Sequence, residues 1–172
     1  MRKAAYLAAA GIFSLGFLLH FAYEWSGSLA LVGAVCPVNE SVWEHLKLPF
    51  FPLVVWWFVY GWRTGLPVKH RTIAAAVSAG TACLTVVAIH YAVSGVLGFD
   101  VMAADIASLA AGVTLGQYLA LMMLDRPHGK LAWSISAAVL IALGLMLVLF
   151  TFYPPHLPLF FDKESGLYGI QR

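Results

Sequence analysis

Histidine and carboxylate recur together at a few points of an otherwise apolar chain, and that pairing is the chemistry of a divalent metal. His20 and Glu24 stand four apart, the spacing that puts two side chains on one face of a helix. Glu40 and Glu44 repeat the spacing, with His45 alongside. His90 shares a helical stripe with Ala79, Cys83 and Val86, and Asp105 heads another made of Ser108, Gly112 and Gly116. Imidazole nitrogen and carboxylate oxygen suit a divalent transition metal, zinc being the commonest. Ionisable side chains at the apolar ends of membrane helices are costly and mark function. The expected metal ligands are therefore His20, Glu24, His45, His90 and Asp105. Glu40 or Glu44 is the expected general base, activating a metal-bound water.

Plainer roles compete for the same residues. Ser41-Val42-Trp43-Glu44 has the capping-box spacing, so Glu44 could serve only to close the start of its own helix. Glu40 in a first helical turn is favoured by the helix dipole alone. The cap decides between the two carboxylates. With Ser41 as cap, Glu40 is free to face a site; with Asn39 as cap, Glu44 turns inward. Asn39 follows Pro37 closely and is a strong cap type, which favours Glu44 as the site residue. His20 and Glu24 could be a simple hydrogen-bonded pair, and His90 a satisfied core histidine.

The elements that must carry these residues are membrane helices. Only 10% of the 172 residues are charged and 62% are hydrophobic, with a mean hydropathy of +0.85. A soluble domain carries roughly a quarter charged residues. A spanning helix needs about 20 apolar residues, so five of them with short loops use up the chain. The reading is all-α: one transmembrane bundle over residues 1–172, with helices at about 4–25, 41–62, 72–96, 101–124 and 131–153. Gly27 to Asn39 is too short to span and reads as an interfacial or re-entrant segment. The tail from Pro154 is Pro-rich and aromatic, then polar. Arg2-Lys3 before an apolar run resembles a signal peptide, but the run is long and lacks a cleavage context, so it reads as a retained first helix. No basic run suggests nucleic acid, and Cys36 and Cys83 have no metal-binding spacing.

Basic residues orient the bundle. Arg2, Lys3, Arg63, Lys69, Arg71, Arg126 and Lys130 fall on one side, against Lys47, Lys163 and Arg172 on the other. The positive-inside rule then gives N-in and C-out. All the acidic residues except Asp125 collect towards the outer side, as do His20, His45, His90 and His156. His70 and His128 fall in inner loops.

The run Pro37-Val38-Asn39-Glu40-Ser41-Val42-Trp43-Glu44-His45-Leu46-Lys47 resembles the signature of a family of small bacterial polytopic membrane proteins of unknown function. His20-Phe21-Ala22-Tyr23-Glu24-Trp25 and Pro154-Pro155-His156-Leu157-Pro158-Leu159-Phe160 are similar to that family's other characteristic segments. The resemblance implies location and topology rather than chemistry. A more distant similarity links Asn39, Trp43 and His45 to the membrane hydrolases that include alkaline ceramidases and progestin/adipoQ receptors. That resemblance implies zinc held by histidines and an acidic residue inside a helical bundle. This chain departs from it in helix number and spacing, and it lacks an HxxxH; His20-x-x-x-Glu24 is the nearest equivalent.

These readings converge on a metal-dependent hydrolase or lipid-modifying enzyme of the cell membrane. Its site would open at the outer face, and its substrate would be a lipid or small amphiphile. A transporter would use the same residues as a binding site, but it needs polar groups continuing inward. Helices three and four instead turn to Ala, Gly, Val and Leu, with Ser78, Thr81 and Gln117 as exceptions. A non-catalytic membrane partner or receptor is the third class, separated from the first by the absence of bound metal.

Overall fold

The computed structural model describes residues 2–170, with side chains from Leu7 onward. Arg172 and the side chains of Arg2 and Lys3, all used for orientation, lie outside the described residues. The chain forms α1 (Arg2–Trp25), α2 (Ala30–Gly33), α3 (Val42–His45), α4 (Lys47–Arg63), α5 (Val68–Leu97), α6 (Met102–Leu124) and α7 (Lys130–Phe152). A 3-10 turn at Pro158–Phe160 leads into β1 (Phe161–Asp162), which pairs antiparallel with β2 (Leu167–Tyr168).

Four helices are long and apolar enough to cross a membrane: α1 from Leu7, α5, α6 and α7. On α7, Leu131, Ile135, Ile141, Leu145 and Leu149 are all exposed. An apolar surface of that extent on a helix suits lipid, not water. The molecule is a helical membrane protein.

The helix expected over 41–62 is broken in two, and this is a correction. The cause is Pro49, which has no N–H to give the carbonyl of His45. The chain turns at Leu46, whose N–H bonds back to the carbonyls of Glu44 and Trp43, and helix resumes at Lys47. The resumed helix α4 has 17 residues, about 26 Å at 1.5 Å per residue. It is the core of the bundle: Leu53 and Trp57 are completely buried.

The expected small-residue stripe is the seam between α5 and α6. A Cβ on Gly112 would stand 2.9 Å from the carbonyl oxygen of Ala82, and one on Gly116 would run into the carbonyl of Ser78. Glycine lets the two backbones meet there. The seam holds the C-terminal end of α5 and the N-terminal end of α6 side by side, which sets His90 against Asp105. Gly16 plays the same part for α1, facing the carbonyl of Leu48 at 2.9 Å from a notional Cβ.

The tail returns over the end of the bundle that carries His20 and His45. Phe160 packs on Trp43 with ring centroids 4.8 Å apart. The Asn39 side-chain amide donates to the carbonyl of Gly169 at 3.0 Å, and the N–H of Ile170 donates to the carbonyl of Thr151 at 2.9 Å. The hairpin is thereby pinned above the segment that carries Glu40 and His45.

Candidate functional site

Three elements bring His20, Glu40 and His45 together. His20 comes from the last turns of α1, Glu40 from the loop before α3, and His45 from the end of α3. The Nε2 of His20 lies 3.4 Å from one Glu40 carboxylate oxygen, and the Nε2 of His45 lies 3.3 Å from the other. The two imidazoles stack at 5.2 Å with 20° between their planes. One ligand atom from each of the three residues lies within 4.8 Å of the others.

The orientation of His45 is fixed from behind. Its Nδ1 donates to the carbonyl of Ser41 at 3.0 Å. A carbonyl only accepts, so Nδ1 carries the hydrogen and Nε2 of the neutral ring presents a lone pair. That lone pair points at a carboxylate. Two electron-rich groups at this separation call for a cation between them, either a proton or a metal ion. The Nδ1 of His20 is buried without a hydrogen-bond partner. The polar contact from His45 is the main reason the Glu40 carboxyl is held below the usual carboxylate range, and His20 adds to it against the opposing effect of burial.

The trio adjoins a cavity of about 490 Å³. His20, Tyr23, Glu24 and Ser28 form one wall, and Pro37 to Glu40 form the floor. Asp162, Glu164 and Ser165 of the hairpin close it from the other side. Glu24 lines this space and acts on His20 through its charge, as does Glu164.

Glu44 stands elsewhere, in the arrangement opposite to the one favoured from sequence. Ser41 is the cap, its hydroxyl accepting the N–H of Glu44 at 3.4 Å. Asn39 instead accepts the N–H of Ser41 and reaches up to the hairpin. The Glu44 carboxylate is buried and fully engaged. It takes the Lys47 ammonium at 2.7 Å, the Thr151 hydroxyl at 2.9 Å and the N–H of Val38 at 3.1 Å. Lys47 is itself completely buried, donating also to the carbonyls of Gly33 and Cys36 and contacting Thr151 at 2.6 Å. An ammonium with these partners belongs to the interior of the bundle.

His90 and Asp105 form an adjoining pair outside the trio. The ring Nδ1 of His90 lies 2.9 Å from Asp105, and its Nε2 lies 3.7 Å from Asp100. Asp100 in turn holds Lys163 of the hairpin at 2.7 Å. Asp105 acts on His45 through its charge, so the pair borders the trio without joining it. Of the five expected ligands, then, the structure gathers His20 and His45. It adds Glu40, which had been read as a base, and leaves His90 and Asp105 beside the group with Glu24 on the cavity wall.

Two contributors read in the sequence only as charges towards the outer side, Lys47 and the acidic tip of the hairpin. Lys47 follows Glu44 by three within an apolar stretch, a spacing that pairs charges on one helix face, and a lysine there needs a buried partner. The hairpin's acidic tip carries no such signal, since its place over the cavity depends on contacts with Asn39 and Thr151 far along the chain.

Residues 1–170 match a family of unknown function, DUF6512, and the chain belongs to that family. No curated protein and no solved structure matches it.

Proposed function

We propose that the chain is a membrane-embedded metal-dependent hydrolase or lipid-modifying enzyme whose metal is held by His20, Glu40 and His45. One observation carries the reading: the Nε2 atoms of His45 and His20 face the two oxygens of the Glu40 carboxylate, and the His45 ring is held from behind by the carbonyl of Ser41. Ligands at 2.0–2.1 Å from a tetrahedral zinc ion are separated by about 3.3 Å. The separations of 3.3 and 3.4 Å go to the two different oxygens of Glu40, and one ligand atom from each residue lies within 4.8 Å of the others, so an ion would have to draw the three inward.

Two histidines and one carboxylate leave coordination positions open, the mark of a catalytic rather than a structural metal. Water in an open position would ionise near neutral pH. Glu44 is committed to Lys47 and Glu40 to the metal, so the proton would go to another carboxylate of the cavity, and Glu24, one helical turn from His20, is our choice. Trp25, Leu29 and Leu31 are exposed close to Ser28 at the cavity's edge, an apolar rim that suits an amphiphile entering from the lipid surface. In the cell membrane, α3 and α4 together make the fifth crossing. The basic loops around Arg63, Lys69, Arg71, Arg126 and Lys130 would lie inside, and the hairpin outside.

Elemental analysis of detergent-purified protein tests the reading. Zinc or another transition metal at about one ion per chain, lost in His45→Ala and Glu40→Gln with helix content unchanged, is the expected result. A wild-type protein that takes up no transition metal on reconstitution overturns it.

A further inference from the structure

We infer that the group admitted to this cavity is a cationic head group, an ammonium-bearing amphiphile rather than a phosphate- or carboxylate-bearing one. The inference rests on the metal-site reading for where the reacting bond would lie, and it deepens that reading by charge.

The cavity wall contains Glu24, Glu40, Asp162 and Glu164, and its basic group is His20 alone among the lining residues. The two outer lysines are turned to other partners. Lys47 is buried against Glu44, and Lys163 is paired with Asp100 at 2.7 Å. Neither lines the cavity. Four carboxylates outweigh the two charges of a divalent ion, so the space stays negative with the metal in place. The carboxylates come from both ends of the chain, Glu24 and Glu40 on one wall and Asp162 and Glu164 on the hairpin. An entering group therefore meets negative charge on opposite sides. The Asp162 carboxylate is oriented by the N–H of Glu164 at 3.0 Å and the Ser165 hydroxyl at 2.5 Å.

An anionic head group would find no guanidinium or ammonium among the lining residues, only the open positions of the metal, and it would have to pass the repulsion of the surrounding carboxylates. An ammonium would exchange water for carboxylates and the face of Tyr23. A volume of about 490 Å³ takes a small ammonium head and the first carbons of a chain. The exposed Trp25, Leu29 and Leu31 then offer the rest of that chain an apolar path into the lipid.

The test uses the full chain in an uncharged maltoside detergent, with three probes of equal chain length: an alkyltrimethylammonium, an alkyl alcohol and an alkyl carboxylate. Calorimetric titration at low and high salt, with metal content measured on the same samples, gives the readout. The expected result is that the ammonium binds about tenfold or more tightly than the carboxylate at low salt, with the preference shrinking at high salt. Glu164→Gln, remote from the metal ligands, should reduce the preference several-fold while metal content holds. Tighter or equal binding of the carboxylate overturns the inference, as does an absence of binding by all three probes. A preference that Glu164→Gln and Glu24→Gln both leave unchanged comes from the micelle and also overturns it. Metal present with the carboxylate preferred defeats this inference and spares the metal site. Metal absent with the ammonium preferred does the reverse.

Discussion

Four residues apart on one short segment, Glu40 and Glu44 meet opposite surroundings. Glu40 sits in the loop, partly exposed, facing two imidazole nitrogens and a cavity. Glu44 sits one helical turn later, sealed under the hairpin with an ammonium, a hydroxyl and a backbone N–H. Local sequence gives the two nearly equal claims to chemistry. The difference is made by partners: Lys47 and Thr151 saturate Glu44, while Glu40 keeps its oxygens directed at two imidazole nitrogens. A saturated carboxylate holds a fold together, and an unsaturated one is available to a ligand.

The largest expected effect comes from breaking the saturated node. Lys47→Met leaves Glu44 buried without its counter-charge and should cost about 3–5 kcal/mol, read as a fall in the thermal unfolding midpoint in detergent. Adding Glu44→Gln should recover a substantial part of that loss, because no uncompensated charge then remains. If the single variant is as stable as wild type, the node is not structural and the contrast with Glu40 collapses.

Thr151→Val sharpens the same point at smaller scale. It removes the hydroxyl that bridges Lys47 and Glu44, and should cost about 1–3 kcal/mol with metal content unchanged. Loss of metal in this variant would mean that the two carboxylates are not separate in role.

The smallest effect belongs to Glu40 and is visible in its pH dependence. Its folded carboxyl is held below the usual range, so the folded state binds the proton less readily than the unfolded chain does. The resulting stability is fully present above the ordinary glutamate value of about 4.3. It is lost as pH falls through the depressed folded value. With a chelator present, the stability difference between wild type and Glu40→Gln should therefore shrink as pH falls through the carboxylate range. A difference that stays constant through that range contradicts the contacts with His45 and His20.

The long apolar helices were legible because lipid imposes a length and a composition on any segment that crosses it. The expected spans at 72–96, 101–124 and 131–153 lie within a few residues of α5, α6 and α7. The break at Leu46 was half visible. Pro49 announces a missing hydrogen bond to His45, but nothing local says that the chain will turn instead of merely kinking. The small-residue stripe below Asp105 correctly marked a packing face, because close backbone approach demands small side chains. The choice between Glu40 and Glu44 was out of reach, since it depends on Thr151 and the hairpin, more than a hundred residues away. Lys47 reads in the sequence only as an outer charge, because a lone lysine near a helix start looks like a loop charge until its acceptors are known.

The Lys47 node also sets an order of assembly. Its ammonium finds Gly33, Cys36 and Glu44 within the 14 residues before it, but Thr151 is synthesised 104 residues later. At ordinary translation rates that is a wait of roughly 5–20 seconds. Through that interval the lysine stands in a half-built membrane bundle with one partner missing and its outer side uncovered. Arrival of α7 completes its coordination, and the hairpin that follows then closes over it. The end of the bundle that carries Glu40 and Glu44 is thus completed only once α7 and the hairpin are present.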